Sequence, residues 1–279
     1  MIEDILISDI TGTKLAEIQE ATTKVSCSWS LDAVSQITLE VHDPDLKFFL
    51  NNYFMVRRSV FFKDEYFEIA SVEIDKGEGA GAKVTIECRR GEIQKMKRDK
   101  TPAAYGGVSA TEYAQIVANK FGLGFVGEKT SVKRSIVKAT GSKEDESVWD
   151  VLRRLAGSAQ FNVFESNRTL FFGSQEWLVN TYNWANLPFD YPSPSYSPYQ
   201  ILTVPNCRRS DDDVNQAEVK FILQRTATTM GLRPGMTVTL TGMGEFNRRY
   251  LLTEIAYDDD QPEPIGVACR TPVEKKPNK

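Results

Sequence analysis

The sequence predicts an α+β protein in which strands outnumber helices, and three observations carry that prediction. Stretches such as "SQITLEVHDP", "KVTIEC" and "GMTVTLTG" alternate apolar and polar residues with a period of two, the pattern of a half-buried strand. Two segments, "SATEYAQIVANKFG" and "EDESVWDVLRRLAGSA", instead repeat apolar residues at helical spacing. Short strand patterns separated by turn signals precede and follow those helices, which suggests a barrel or a sandwich on either side.

In the first block, Ile37, Leu39 and Val41 share one face and Thr38 and Glu40 the other, until Asp43-Pro44 ends the strand. "YFMVRRSVFFKDEYFEIASVEID" reads as two strands around a turn at Lys63–Glu65. "GEGAGA", at Gly77–Ala82, reads as a hairpin loop leading into Val84, Ile86 and Cys88. It lacks the GK[ST] ending and the following helix that a phosphate cradle needs. "FGLGFVG" follows a helix rather than opening one, so it is no dinucleotide fingerprint. The basic run "RRGEIQKMKRDK", Arg89–Lys100, reads as a solvated connection, with a contact to an acidic neighbour or nucleic acid as the sharper reading.

The middle block begins after Thr101-Pro102. Ser109 with Glu112 three residues on is a capping box, and Tyr113, Ile116, Val117 and Phe121 fall on one helical face before Gly122. Glu144–Glu146 suit the positive end of a second helix with Val148, Leu152 and Leu155 as its stripe, followed by a hairpin turning at Ser166-Asn167. The proline-spaced stretch Leu187–Asn206 reads as a stiff connector or surface arm. In the last block Pro234-Gly235 suits a type II turn. Met236, Val238 and Leu240 alternate with threonines, and Tyr250–Ile255 returns as a barrel-wall hairpin. These divisions give a β domain over 1–100, a small α/β domain over 101–177, the arm and a second β domain over 178–271, and a loose tail over 272–279.

Composition narrows the function. The 279 residues allow about two domains, and 41% hydrophobic residues exclude a disordered chain. The net charge of −4 comes from 34 basic and 38 acidic side chains, which argues against a dedicated nucleic-acid binder. Cys27, Cys88, Cys207 and Cys269 form no CxxC, and His42 is the only histidine, so neither a zinc site nor any cofactor is expected. A lone His42 beside Asp43-Pro44 offers no partnered base for a nucleophile. Glu144–Glu146, Asp211–Asp213 and Asp258–Asp260 read as a helix start and solvated loops rather than a catalytic carboxylate pair. No catalytic, cofactor-binding or metal-binding residue is therefore assigned, and no enzymatic activity is expected. "MIEDILISDI" begins acidic, unlike a signal peptide, and no apolar run approaches a membrane span.

"DESVWDVLRRLAGSAQFNVFESNRTLFFGS" resembles a recurring stretch of phage tail baseplate hub proteins, carried by Asp150, Leu152, Arg154, Leu155, Ala156, Leu170, Phe172 and Gly173. Leu232–Val238, Tyr250–Ile255 and "ITLEVHDPD" are similar to that family's barrel segments, and the order of all three blocks, Ile2 to Arg270, follows it. The hub portion of type VI secretion spike proteins is a further likeness. The resemblance implies two tail-tube-like β-barrels flanking the small α/β domain. It also implies a homotrimer forming a pseudo-sixfold ring in the tail baseplate of a virion assembled in the bacterial cytoplasm. The implied partners are a tail tube or distal tail protein, a spike protein and the tape-measure protein, with DNA passing unbound. The chain departs from larger members in showing no spike barrel or lysozyme-like module after its second β block. Two other readings stay open: a receptor- or carbohydrate-binding tail component, using Trp177, Tyr182, Trp184, Phe189, Tyr191, Tyr196 and Tyr199, and a cell-wall hydrolase.

Overall fold

The structure is a computed structural model that describes residues 5–77, 81–101, 103–137, 146–209, 216–258 and 264–273. The chain is α+β and mainly β, as predicted, and it divides into two compact units. Unit 1 comprises 1–29, 34–94 and 256–263; unit 2 comprises 30–33, 95–255 and 264–279.

Unit 1 contains β1 (Ile5–Ile7), α1 (Thr13–Ala21), β2 (Thr22–Ser30, as far as Trp29), β3 (Gln36–His42), α2 (Lys47–Leu50), β4 (Ser59–Phe62), β5 (Glu65–Gly77), β6 (Gly81–Arg90) and the start of α3 (Gly91–Arg98). The strand order is β1-β4-β5-β6-β3-β2, antiparallel throughout. The register puts the alternating apolar residues opposite one another: Ile37 faces Cys88, Leu39 faces Ile86, and Val41 faces Val84. Cys27 and Val25 continue the same rows on β2. All eight side chains are buried, which pins the register because a one-residue slip would expose the whole set. Among the described residues no pairing joins β1 to β2.

Three features of this unit differ from expectation. The helix α1 was hidden because it has no side-chain cap and buries only Ile18, so nothing in its pattern competes with the strand that follows directly. Asp43 does more than end β3: its carboxylate accepts hydrogen bonds from the Phe48 and Phe49 amides, both at 3.0 Å, and so starts α2. The basic run is more than a solvated connection. Lys95, Arg98 and Lys100 are exposed, but the run ends β6 with the buried Arg90 and forms α3 with Ile93 and Met96 buried, an i, i+3 pair that the charge density masked.

Unit 2 holds β7 (Ala104–Ser109), α4 (Ala110–Lys120), β8 (Gly124–Gly127), β9 (Lys133–Val137), α5 (Val148–Ala159), β10 (Asn162–Ser166), β11 (Thr169–Gly173) and α6 (Gln175–Trp177), which runs into a π turn at Leu178–Tyr182. It continues with β12 (Asn186–Asp190), β13 (Asn206–Arg209), β14 (Ala217–Leu223), α7 (Ala227–Met230), β15 (Thr237–Thr241), most of β16 (Arg249–Asp258) and β17 (Ile265–Arg270). The predicted capping box at Ser109/Glu112 is present, with the Ser109 amide donating to Glu112 at 2.7 Å. A second box, Ser147 with Asp150, starts α5, whose Val148, Leu152 and Leu155 are buried as expected. The α4 face is rotated, since Ile116 is exposed and Ala114 and Ala118 are buried instead. The β10–β11 turn falls one residue later than predicted, because Asn167 and Arg168 are the two that adopt positive φ. β8 then adds to β11 in parallel.

Phe164 and Phe171 stack at 4.9 Å, and with Leu31, Leu178, Val179 and Leu251 they form a core cluster. The predicted hairpin is present: β15 pairs antiparallel with β16, and Gly235 has φ 95° after Pro234. The proline-rich arm is corrected. Asn186–Asp190 is a strand, β12, paired in parallel with β15, and Phe189 is fully buried against Phe221 at 5.2 Å. Pro188 is tolerated there because β12 lies at the end of the path β12-β15-β16 and needs no donor on its open side.

Candidate assembly surfaces

The residues weighed for chemistry are placed apart. His42 is exposed at the end of β3, and its backbone neighbour Asp43 is occupied by α2. Among the described residues no group of three His, Cys, Asp or Glu is arranged to hold a metal ion. Of the acidic runs, Glu144, Asp145, Asp211–Asp213, Asp259 and Asp260 lie outside the described residues, as do Glu78–Ala80 and 274–279. Glu146 holds Arg154 through two bonds of 2.8 and 3.1 Å, and Asp258 pairs with Lys24 at 2.7 Å. Cys27, Cys88 and Cys269 are buried and form no disulfide, and burial pushes the Cys88 and Cys269 thiols well above their ordinary range.

One polar cluster was missed from sequence. In unit 1, Arg90 lies 3.0 Å from the Glu65 carboxylate, the same oxygen that accepts from the Trp29 indole at 2.8 Å. The guanidinium also sits over the Phe67 ring at 5.0 Å. Beside it the Tyr66 hydroxyl donates to Glu68 at 2.6 Å, and burial raises the Tyr66 hydroxyl far above its usual value. Only 1% of Arg90 and 5% of Glu65 is exposed, so this ion pair is an internal tie with no access for a substrate. Its sequence signal is the charge placed at a buried strand position, Glu65 and Arg90, where alternation calls for an apolar residue.

Several exposed surfaces are apolar. On unit 1, Leu6 of β1 faces Phe61 of β4, and the Phe61 ring lies 5.5 Å from Tyr66. Leu6 and Phe61 are 51% and 39% exposed, on a strand pair at the end of the sheet. The end of α2 and the turn before β4 present Leu50, Met55 and Val56, each more than half exposed, beside Arg57, which adopts φ 73°. On unit 2, the segment before β13 runs along β14: the Leu202 amide donates to the Ile222 carbonyl at 2.8 Å. Leu202, Val204 and Ile222 are exposed there, on the strand pair at the end of the β16-β17-β14-β13 order. Edge strands carrying exposed apolar residues are the usual ground for pairing with another chain.

Several rings of the aromatic arm pack on other rings of the chain. Trp177 stacks on Tyr182 at 5.5 Å, Trp184 lies 5.3 Å from Phe171, and Tyr199 lies 5.2 Å from Phe189. Tyr196 is the ring that stands out, at 87% exposure.

No protein-family model and no curated protein sequence matches the chain. Solved structures do. A 43 kDa tail protein of prophage MuSo2 from Shewanella oneidensis aligns with a TM-score of 0.60 at 12% identity, covering 96% of each chain. A type VI secretion component of E. coli, described as structurally similar to the T4 bacteriophage tail proteins gp27 and gp5, gives 0.62 at 12% identity, over 97% of this chain and 77% of that one. A tail protein of Neisseria meningitidis MC58 gives 0.58 at 11% identity, over 97% and 96%. The chain therefore carries, over nearly its whole length, the fold of phage tail proteins and of this type VI secretion component.

Proposed function

We propose that the protein is a structural baseplate hub of a phage or phage-like tail. Three copies form a pseudo-sixfold ring that joins the tail tube to the central spike, and tape-measure protein and DNA pass through its lumen. In this reading the β domains over 1–100 and 178–271 act as tail-tube-like barrels and 101–177 as the insert between them. The observation that carries it is the likeness to tail proteins across at least 96% of the chain rather than across one motif. The exposed apolar side chains Leu6, Phe61, Leu202 and Ile222, near the sheet ends, supply the kind of surface that ring closure uses. The packing of Trp177, Trp184 and Tyr199 on other rings of the chain favours this reading over a glycan-binding component. Electron microscopy of the purified chain, alone and mixed with tail-tube and spike proteins of the same tail, tests the proposal. Threefold rings with an open lumen are expected, and particles without rotational symmetry in every mixture would count against it.

A further inference from the structure

Unit 2 contains a cleft of roughly 340 Å³ between the loop that follows β8, the strand β9 and the end of α5. That volume is at the lower end of small-ligand pockets. Its polar lining comes from Lys129, Thr130, Ser131, Arg134 and Ser158, with Phe161 as apolar floor. Ala110 and Ala159, both small, leave the floor open.

The lining is rich in donors and has no carboxylate or side-chain amide. Lys129 and Ser131 have no side-chain hydrogen bond or ion pair among the described residues. Arg134 donates from one nitrogen to the Ser158 hydroxyl at 3.0 Å, which leaves the rest of its planar fork available. The neighbouring acids are occupied elsewhere: Glu128 accepts from the Ser174 amide and hydroxyl at 2.8 and 2.7 Å, and Glu112 pairs with Lys133 at 3.2 Å.

We propose that this cleft binds an acidic peptide segment of a partner protein, seating an Asp or Glu side chain between Lys129 and Arg134 with an apolar neighbour over Phe161. A peptide suits the lining better than a sugar does. Phe161 is buried, 5.3 Å from Phe172, so little of its ring is offered for sugar stacking, and the side chains of the lining carry no carboxylate to accept from sugar hydroxyls. Val132, 69% exposed at the rim, gives an apolar side chain something to cover. The inference stands whether or not the chain forms a ring.

The test is an amide-resolved NMR titration of the intact protein with the capped peptide Ac-Leu-Glu-Phe-Asp-Leu-NH2. Saturable shifts at Ala110, Lys129–Val132, Arg134 and Ser158–Phe161 are expected. Lys129→Glu combined with Arg134→Glu should weaken binding at least about tenfold, as loss of a charge-matched contact does. Both side chains are exposed, and the milder Lys129→Ser should give a smaller loss in the same direction if the double variant is unstable. Absence of shifts at millimolar peptide would overturn the proposal. So would equal binding of Ac-Leu-Gln-Phe-Asn-Leu-NH2, or the same shifts produced more tightly by inorganic phosphate or a polyglycerol phosphate.

Discussion

Replacing Gly242 by alanine probes the junction between β12 and the β15–β16 hairpin. Gly242 follows β15 with φ 80°, and a Cβ there would lie 1.8 Å from the Tyr191 carbonyl oxygen and 2.8 Å from its carbon. That backbone is held in place: the Tyr191 amide donates to the Thr241 carbonyl at 3.1 Å, and the Thr241 hydroxyl donates to Asp190. The left-handed conformation alone costs an L-residue roughly 1–2 kcal/mol. Forcing the clashing backbone apart adds about 1–3 kcal/mol, the usual cost of overpacking. Gly242→Ala should therefore cost about 2–5 kcal/mol. Gly244→Ala is the control, because Gly244 has φ 59° but nothing within 4 Å of where an added methyl would sit, so it should cost only the conformational part, roughly 1–2 kcal/mol. Urea unfolding followed by tryptophan fluorescence reads the difference, since Trp149, Trp177 and Trp184 all belong to unit 2. If the two variants agree within about 0.5 kcal/mol, the spread of independent measurements, the close approach of β12 to the hairpin is wrong.

Three further outcomes follow from the interior. Arg90→Ala leaves Glu65 buried without its cation and should cost about 3–5 kcal/mol. Arg90→Met combined with Glu65→Gln, which keeps an acceptor for Trp29, should recover most of that in chemical denaturation; no recovery would mean that the loss does not come from an uncompensated Glu65 charge. Asp99 is pushed up by burial, but hydrogen bonds from Lys120 at 2.5 Å and the Thr101 amide at 3.0 Å outweigh this and hold its carboxyl at about 2, below the ordinary 3.8. Because the folded value is depressed, the stabilisation is present above about pH 3.8 and is lost as pH falls toward 2. Asp99→Asn should flatten the stability curve in that window, and an unchanged acid limb would refute the assignment. A water-soluble thiol reagent should modify Cys207 in the native protein and all four cysteines only after denaturation. Rapid native labelling of Cys27, Cys88 or Cys269 would contradict their burial.

The parts of the fold legible in sequence are those where local chemistry and tertiary packing agree. Ser109/Glu112 announces α4, the alternation around Ile37 and Val84 announces β3 and β6, and Pro234-Gly235 announces the hairpin. Legibility fails where distant partners decide. β12 is a strand because β15 accepts it and Phe189 finds Phe221, which no local pattern in a proline-rich stretch records. The α3 helix hid behind its charges, and Thr237 is fully buried on a threonine row that alternation places outside. The exposed candidates are harder still. Leu6, Phe61 and Ile222 look in sequence like ordinary strand residues and Leu202 like part of a connector, and only the strand order reveals that they lie near sheet ends. The cleft at Lys129 and Arg134 depends on the α5 end meeting β9, a juxtaposition of residues from separate segments.

The most direct test of the hub proposal is the solution mass of the purified chain by light scattering, over a range of concentrations at moderate salt. A species near three times 31.4 kDa is the predicted result. A mass of one chain that persists at high concentration, and also after addition of the tube and spike proteins, would contradict it.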